Sequence, residues 1–175
     1  MWTRIRRTSG IWVASVSVAV TATGCNYSLR AAGGFPSHIR TVAIIPFENR
    51  TTRLDLTQQL YDQLLREVPR SLGVRTAAED VADAVMRGTI TRYALEAPLY
   101  RGDAAAGRAE VLQRQVTITI DVQIIDLSQN VILWEGSNVT TQGQFSEASE
   151  SEDRGRDEAL RLLIQKIIDG AQSNW

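Results

Sequence analysis

The chain has 175 residues, of which 22% are charged and 43% hydrophobic, and a formal net charge of −1 at pH 7. That is ordinary globular composition for about one domain and excludes a disordered chain. Lys and Arg number 19 against 20 Asp and Glu, so no basic domain marks a nucleic-acid binder, and a single lysine, Lys166, stands among the arginines. With one histidine (His38) and one cysteine (Cys25), Ser-His-Asp triads, Cys-His pairs and multi-ligand zinc sites lack members, which argues against most enzymes.

Residues 1–24 carry Arg4, Arg6 and Arg7 and no acid, then the apolar run Ile11–Val20, then Thr21-Ala22-Thr23-Gly24. This order of basic, apolar and small residues is that of a secretory signal. The apolar run is about ten residues, roughly half of what a membrane-spanning helix needs. Ala22-Thr23-Gly24-Cys25 resembles the lipobox of bacterial lipoproteins, in which the peptidase cuts before a lipid-modified cysteine. That resemblance implies a diacylglyceryl group and an amide-linked acyl chain on Cys25, with no other cofactor. More than one acyl chain gives stable anchoring, each buried methylene contributing about 0.8 kcal/mol. Asn26 stands where Asp is the inner-membrane retention signal, so the expected address is the periplasmic face of the outer membrane. A domain of this size buries about 68–70% of its unfolded surface and needs no disulfide.

Residues 25–40, with Gly33-Gly34 and Pro36, read as a lipidated tether, and residues 41–175 as one domain. Thr41–Phe47 is a continuous apolar run of strand length, predicted to be buried on both faces with Pro46 at its exit. After the polar turn 48–53, Leu56, Leu60, Leu64, Leu65 and Val68 recur at helical spacing, and Pro69 is expected to end that helix. Val81–Leu95 holds a second strand, parallel to the first across the helix. Glu96–Val111, with Pro98, Gly102 and Gly107, reads as a break. Val116–Ile124 is the strongest strand signal: Ile118, Ile120, Val122 and Ile124 should face the helices, while Thr117, Thr119, Asp121 and Gln123 should not. A turn at 127–130 leads to a hairpin partner beginning Val131-Ile132-Leu133-Trp134, in which core is the default for Trp134. The last helix carries Leu160, Leu163, Ile164, Ile167, Ile168 and Ala171 on one face, with Ser149-x-x-Glu152 as its capping box. The order βαβββα predicts an α/β two-layer sandwich: a mixed four-stranded sheet with both helices on one face.

Several segments together resemble the LPS-assembly lipoprotein family (LptE). They are Cys25-Asn26-Tyr27-Ser28-Leu29, Ile39-Arg40-Thr41-Val42-Ala43-Ile44-Ile45-Pro46-Phe47-Glu48-Asn49-Arg50-Thr51, Ala82–Ile90 through Tyr93, and the Val-x-Ile-x-Ile strand followed by Leu133-Trp134. Order and spacing carry the resemblance, which covers nearly all of the chain after Cys25. It implies a lipoprotein that sits inside, and helps to fold, the β-barrel translocon LptD, the pair inserting lipopolysaccharide into the outer leaflet. It also implies direct lipopolysaccharide binding through basic side chains. Arginine suits phosphate through bidentate hydrogen bonds, and Arg92, Arg101, Arg108 and Arg114 flank the segment between the second and third strands. Their bland reading is a solvated rim.

His38, beside Pro36, has no second His or Cys near it in sequence and reads as a surface residue. The acids Glu147, Glu150, Glu152 and Asp153 suit a helix start through the macrodipole rather than a cation site. Asn49-Arg50-Thr51 and Asn138-Val139-Thr140 match the glycosylation pattern incidentally. A second function class stays open: a regulatory lipoprotein that activates a peptidoglycan synthase or forms part of a secretion pore. A wall enzyme demands a long disordered tether, whereas the fifteen residues or so between Cys25 and the first strand span at most roughly 50 Å, which favours a partner at the membrane.

Overall fold

A computed structural model of the protein describes residues 35–103, 108–146 and 148–173, and of 98–112 the backbone alone. The elements are β1 (Thr41–Ile44), β2 (Glu48–Asn49), α1 (Asp55–Leu72), β3 (Arg75–Thr76), β4 (Ala84–Asp103), β5 (Arg108–Asp126), β6 (Val131–Phe145) and α2 (Glu152–Ser173). They build one mixed sheet in the order β3-β1-β4-β5-β6, with β2 pairing β4 beyond the end of β1. β1 is parallel to β3 and β4, and β4, β5 and β6 are antiparallel. The sheet thus has six strands rather than four. The two additions, β2 and β3, are two residues each, too short to carry any periodicity.

Strand alternation decides the layering. Ile118, Ile120, Val122 and Ile124 are buried in the core cluster with Leu56, Leu60, Leu64 and Val68 of α1 and Leu160, Leu163, Ile164 and Ile167 of α2. β1 is buried on both faces, as expected for a strand between two neighbours, with Val42, Ala43 and Ile44 all below a tenth exposed. The polar face of β5 is less wet than alternation predicts: Thr117 and Thr119 are also buried, and the Thr119 hydroxyl lies 2.9 Å from that of Thr140 on β6.

Two sequence expectations fail for local reasons. Pro69 does not end α1, because the helix continues one turn to bury Leu72 and closes at Gly73 in the left-handed conformation (φ 68°). The Pro69 carbonyl accepts the Gly73 and Val74 N–H groups, so the last turn is capped even though the proline donates nothing. The expected break over 96–111 is instead a continuation of the β4–β5 ribbon to Asp103 and Arg108. Pro98 falls at a register irregularity between Glu96 and Leu99, where a missing N–H is tolerated.

A bulge between Ile90 and Arg92 flips the register of β4. Before it Met86 and Ile90 face the helices, and after it Tyr93 does, opposite Ile118. Close approach sets α2 on β6: a Cβ added at Gly143 would lie 1.8 Å from the Gly155 carbonyl oxygen. Trp134 packs against the core cluster under α2, where a Cβ at Gly170 would lie 2.4 Å from its ring. In the loop after β2, the Asn49 side chain accepts from Thr51 N–H and Oγ1 and donates to the Arg53 carbonyl, at 2.8 Å each. Asn49 is therefore the organiser of the turn into α1.

These faces are tested by truncation. Ile120→Ala is expected to destabilise by about 2–5 kcal/mol through loss of packing and the cavity left behind. Thr119→Ala removes one hydrogen bond and should cost about 1 kcal/mol. Equal shifts of the denaturation midpoint for the two variants would contradict the face assignment.

Candidate functional site

The side chains with chemistry gather at opposite ends of the β4–β5 ribbon. At the end where β1 and β4 begin, Phe35–Arg40 lies on the domain: Ile39 is buried, Phe35 packs against the core, and the Arg40 carbonyl accepts from Arg75 N–H. His38 Nε2 is 2.6 Å from Asp126 Oδ2. The Asp126 side chain is fully buried, and its Oδ1 accepts from Ser128 N–H (2.7 Å), Ser128 Oγ (2.7 Å) and Gln129 N–H (3.0 Å). Burial pushes its pKa up, but these bonds from His38, Ser128 and Gln129 outweigh it and hold the carboxyl well below the ordinary carboxylate range. An ionised Asp126 requires that His38 Nε2 carry the donated proton. Beside it, Asp83 Oδ2 accepts from Arg40 N–H, Thr41 N–H and Thr41 Oγ1, while Thr41 Oγ1 accepts from Asp83 N–H. Arg40 N–H is the main cause of its lowered pKa. The two acids clasp the incoming chain to β4 and to the β5–β6 turn.

Further along the ribbon, a polar node joins both helix starts to the sheet. Glu152 Oε1 accepts from Tyr93 Oη at 2.5 Å and from Arg53 Nη1 at 2.8 Å, and the Arg53 guanidinium sits 5.3 Å from the centre of the Tyr93 ring. Burial, then the bond to Glu152, raises the Tyr93 pKa to about 12. Arg156, nearly buried, bonds Gln59 and Asp153 and reaches Asp55 at 3.7 Å. The capping box is therefore not formed: α2 starts at Glu152, whose carboxylate serves the sheet, and the Ser146 N–H is taken by Glu150. This node ties the starts of both helices to β4.

Of the four arginines singled out by sequence, Arg92 and Arg114 lie on opposite faces of the ribbon, and the side chains of Arg101 and Arg108 lie outside those described. Arg92 is exposed, pairs with Glu96 at 3.1 Å, and lies opposite Thr119 on the helix-free face. Arg114 is half-buried opposite Phe145, in alternation with core residues Val116 and Ile118. The register places Arg101 opposite Glu110 and Arg108 opposite Asp103, so the far end of the ribbon carries both signs of charge. Cys25 lies outside the described residues. A groove of about 730 Å³ between β6 and α2 is lined by Gln142, Gln144, Asp157 and the ion pairs Arg154–Glu150 and Arg161–Glu158. Among the described residues no three His, Cys, Asp or Glu side chains come together as a metal-binding group. No described helix is long and apolar enough to cross a membrane.

Sequence reasoning missed the His38–Asp126 clasp, because its partners stand 88 residues apart. The local signal was an Asp directly before the 127–130 turn, placed to cap the N–H groups two and three residues on. Asp126→Asn is expected to destabilise the protein at neutral pH by on the order of 2 kcal/mol. A lowered folded-state pKa contributes stability that is complete above the unfolded value and fades as pH falls through the folded one. The difference in denaturation midpoint between wild type and Asp126→Asn should therefore shrink as the pH drops from about 5 to about 2. A difference independent of pH would contradict an ionised Asp126.

Known structures share this architecture at low identity. A hypothetical protein from Chlamydia trachomatis superposes with a TM-score of 0.50 at 11% identity, covering 77% of this chain and 99% of that one. A PelC dodecamer subunit from Paraburkholderia phytofirmans gives 0.50 at 16%, covering 81% and 94%. A protein from Xanthomonas campestris gives 0.50 at 11%, covering 78% and 85%. These likenesses establish the fold alone. No curated protein sequence matches the chain significantly. The family model described as LptE, lipopolysaccharide-assembly, matches residues 39–170, three quarters of the chain and almost the whole folded domain, and the chain therefore belongs to the LptE lipopolysaccharide-assembly family.

Proposed function

We propose that the protein is an outer-membrane lipoprotein, held on the periplasmic face by acyl chains on Cys25, that acts as plug and assembly partner of the LptD β-barrel and helps insert lipopolysaccharide into the outer leaflet. The family match over 39–170 carries this reading. Its role is non-enzymatic: the barrel and the lipid are its partners, and its own surface supplies the contacts. The clasp at His38 and Asp83 supports the anchoring, since it brings the start of the domain back to Phe35. The ten residues from Cys25 to Phe35 reach no more than about 35 Å. A chain so short favours a partner embedded in the same membrane over a peptidoglycan synthase in the wall. On this reading the far end of the β4–β5 ribbon, with Arg101 and Arg108, meets the barrel or lipid phosphates.

Depleting the protein should lower both correctly folded barrel and surface lipopolysaccharide, read by heat-modifiability of the barrel on gels and by probes of outer-leaflet lipid. Cys25→Ala should leave an uncleaved, unlipidated precursor and reproduce the depletion. Replacing Arg101 and Arg108 by Glu should weaken barrel or lipid contact without loss of the fold, because opposite charge turns attraction to phosphate into repulsion. Normal barrel assembly and normal surface lipopolysaccharide after full depletion would refute the proposal and favour the regulatory lipoprotein.

A further inference from the structure

At the end of the sheet from which the chain leads back toward Cys25, large apolar side chains stand in water. Val81 is 69% exposed, Leu127 41%, Val131 45% and Ile132 53%. The fold brings them to one rim: Leu127 N–H bonds the Asp83 carbonyl at 2.9 Å, Val131 pairs with Asp126, and Ile132 pairs with Ile125. Ile132 also ends a cross-strand row on the helix-free face, Ala43, Val85, Ile125 and Ile132, while the neighbouring row is Arg87, Gln123 and Glu135. Ala43 and Val85 of that row are buried, and Ile132 is its exposed end. The other exposed large apolar residues, Leu54 and Leu95, are far along the chain from this rim, and single exposed residues of that kind need no explanation.

The rim is also prepared to leave water. No charged residue lies between Leu127 and Trp134. The turn N–H groups of Ser128 and Gln129 are already held by the buried Asp126 carboxylate. Contact of the 127–134 segment with an apolar medium would therefore strand neither a charge nor those donors, while the exposed Glu79 and Asp80 before Val81 would stay in the polar headgroup layer. The occupant follows from the chain that leads here. If Cys25 carries acyl chains, a segment reaching at most about 35 Å keeps this end beside the bilayer. The tip of the β4–β5 ribbon is carried away from it, since twenty residues of β4 extend about 60 Å.

We infer that Val81, Leu127, Val131 and Ile132 form a seating rim that inserts into the lipid interface beside the acyl anchor and fixes the orientation of the domain on the membrane. The inference rests on the anchored-lipoprotein reading of Cys25 and adds a second, reversible contact to it, whose strength scales with the apolar area the rim buries.

The test uses the full lipidated protein reconstituted in vesicles of phosphatidylethanolamine and phosphatidylglycerol. A single cysteine at Leu127, Ile132 or, as control, Gln142 carries an environment-sensitive fluorophore, the Cys25 sulfur being blocked by lipid. Labels at Leu127 and Ile132 should be quenched by acyl-chain nitroxide lipids at least about twofold more than the label at Gln142, and be shielded from aqueous iodide. Adding Val131→Ser to the Leu127-labelled protein should reduce that quenching while the circular dichroism and vesicle flotation stay unchanged. Protein that floats but whose rim labels are open to iodide and untouched by lipid quenchers overturns the inference. Labels shielded from both quenchers also overturn it, because the rim would then be covered by protein, such as residues 26–34. Failure to float, with a free Cys25 thiol by mass spectrometry, refutes the anchor itself and the seating rim with it.

Discussion

Burial of one face of the sheet beneath two helices, α2 over β5 and β6 and α1 beside it over β1, is the constraint on which the rest of the molecule depends. Val116, Ile118, Ile120, Val122 and Ile124 stand in a single line on that face and join the leucines and isoleucines of both helices in one core. Because a strand alternates faces, this choice assigns every other side chain of the ribbon, and a slip of one residue would exchange the core for threonine, aspartate and glutamine. The bulge at Thr91 shows how tightly the assignment is used. It shifts β4 by one residue at the point where Tyr93 is needed on the helix side to meet Glu152 and Arg53.

From that spine follows a molecule with two unlike ends. At one, Asp83 and the buried Asp126 bind the incoming segment, and their carboxylates take up backbone donors. At the other, the ribbon runs on to Asp103 and Arg108 with charges of both signs in cross-strand register. A covalent lipid at Cys25 would give this polarity a direction relative to the membrane. On the proposed function such a domain would be held at a membrane at one end and free to meet a barrel at the other. The polar nodes of the structure join the molecule's own elements.

Much of this architecture is legible in the sequence, for reasons that can be named. The period-two run 116–124 and the leucine and isoleucine spacings of both helices specify the layers, because burial on one face leaves a regular trace. What escaped notice had no such trace. Pro69 and Pro98 look like breakers, yet a capped last turn and a register irregularity absorb them. Four apolar residues in succession at Val131–Trp134 looked like ordinary strand. A register irregularity opposite Ile124 and Ile125 breaks the alternation there, so Leu133 and Trp134 both reach the core while Val131 and Ile132, at the strand's start, stay exposed. The arginine candidates illustrate the opposite limit. The four flank one hairpin in sequence; alternation and the bulge divide Arg92 from Arg114, while the backbone register sets Arg101 opposite Glu110 and Arg108 opposite Asp103.

The central claim is partnership with a lipopolysaccharide-translocating barrel, and copurification tests it most directly. The full lipidated protein, isolated through an affinity tag from detergent-solubilised outer membranes, should bring down the LptD barrel in near-stoichiometric amount by quantitative mass spectrometry. Recovery of a peptidoglycan synthase, or of a ring made of its own copies with no barrel, would contradict the account.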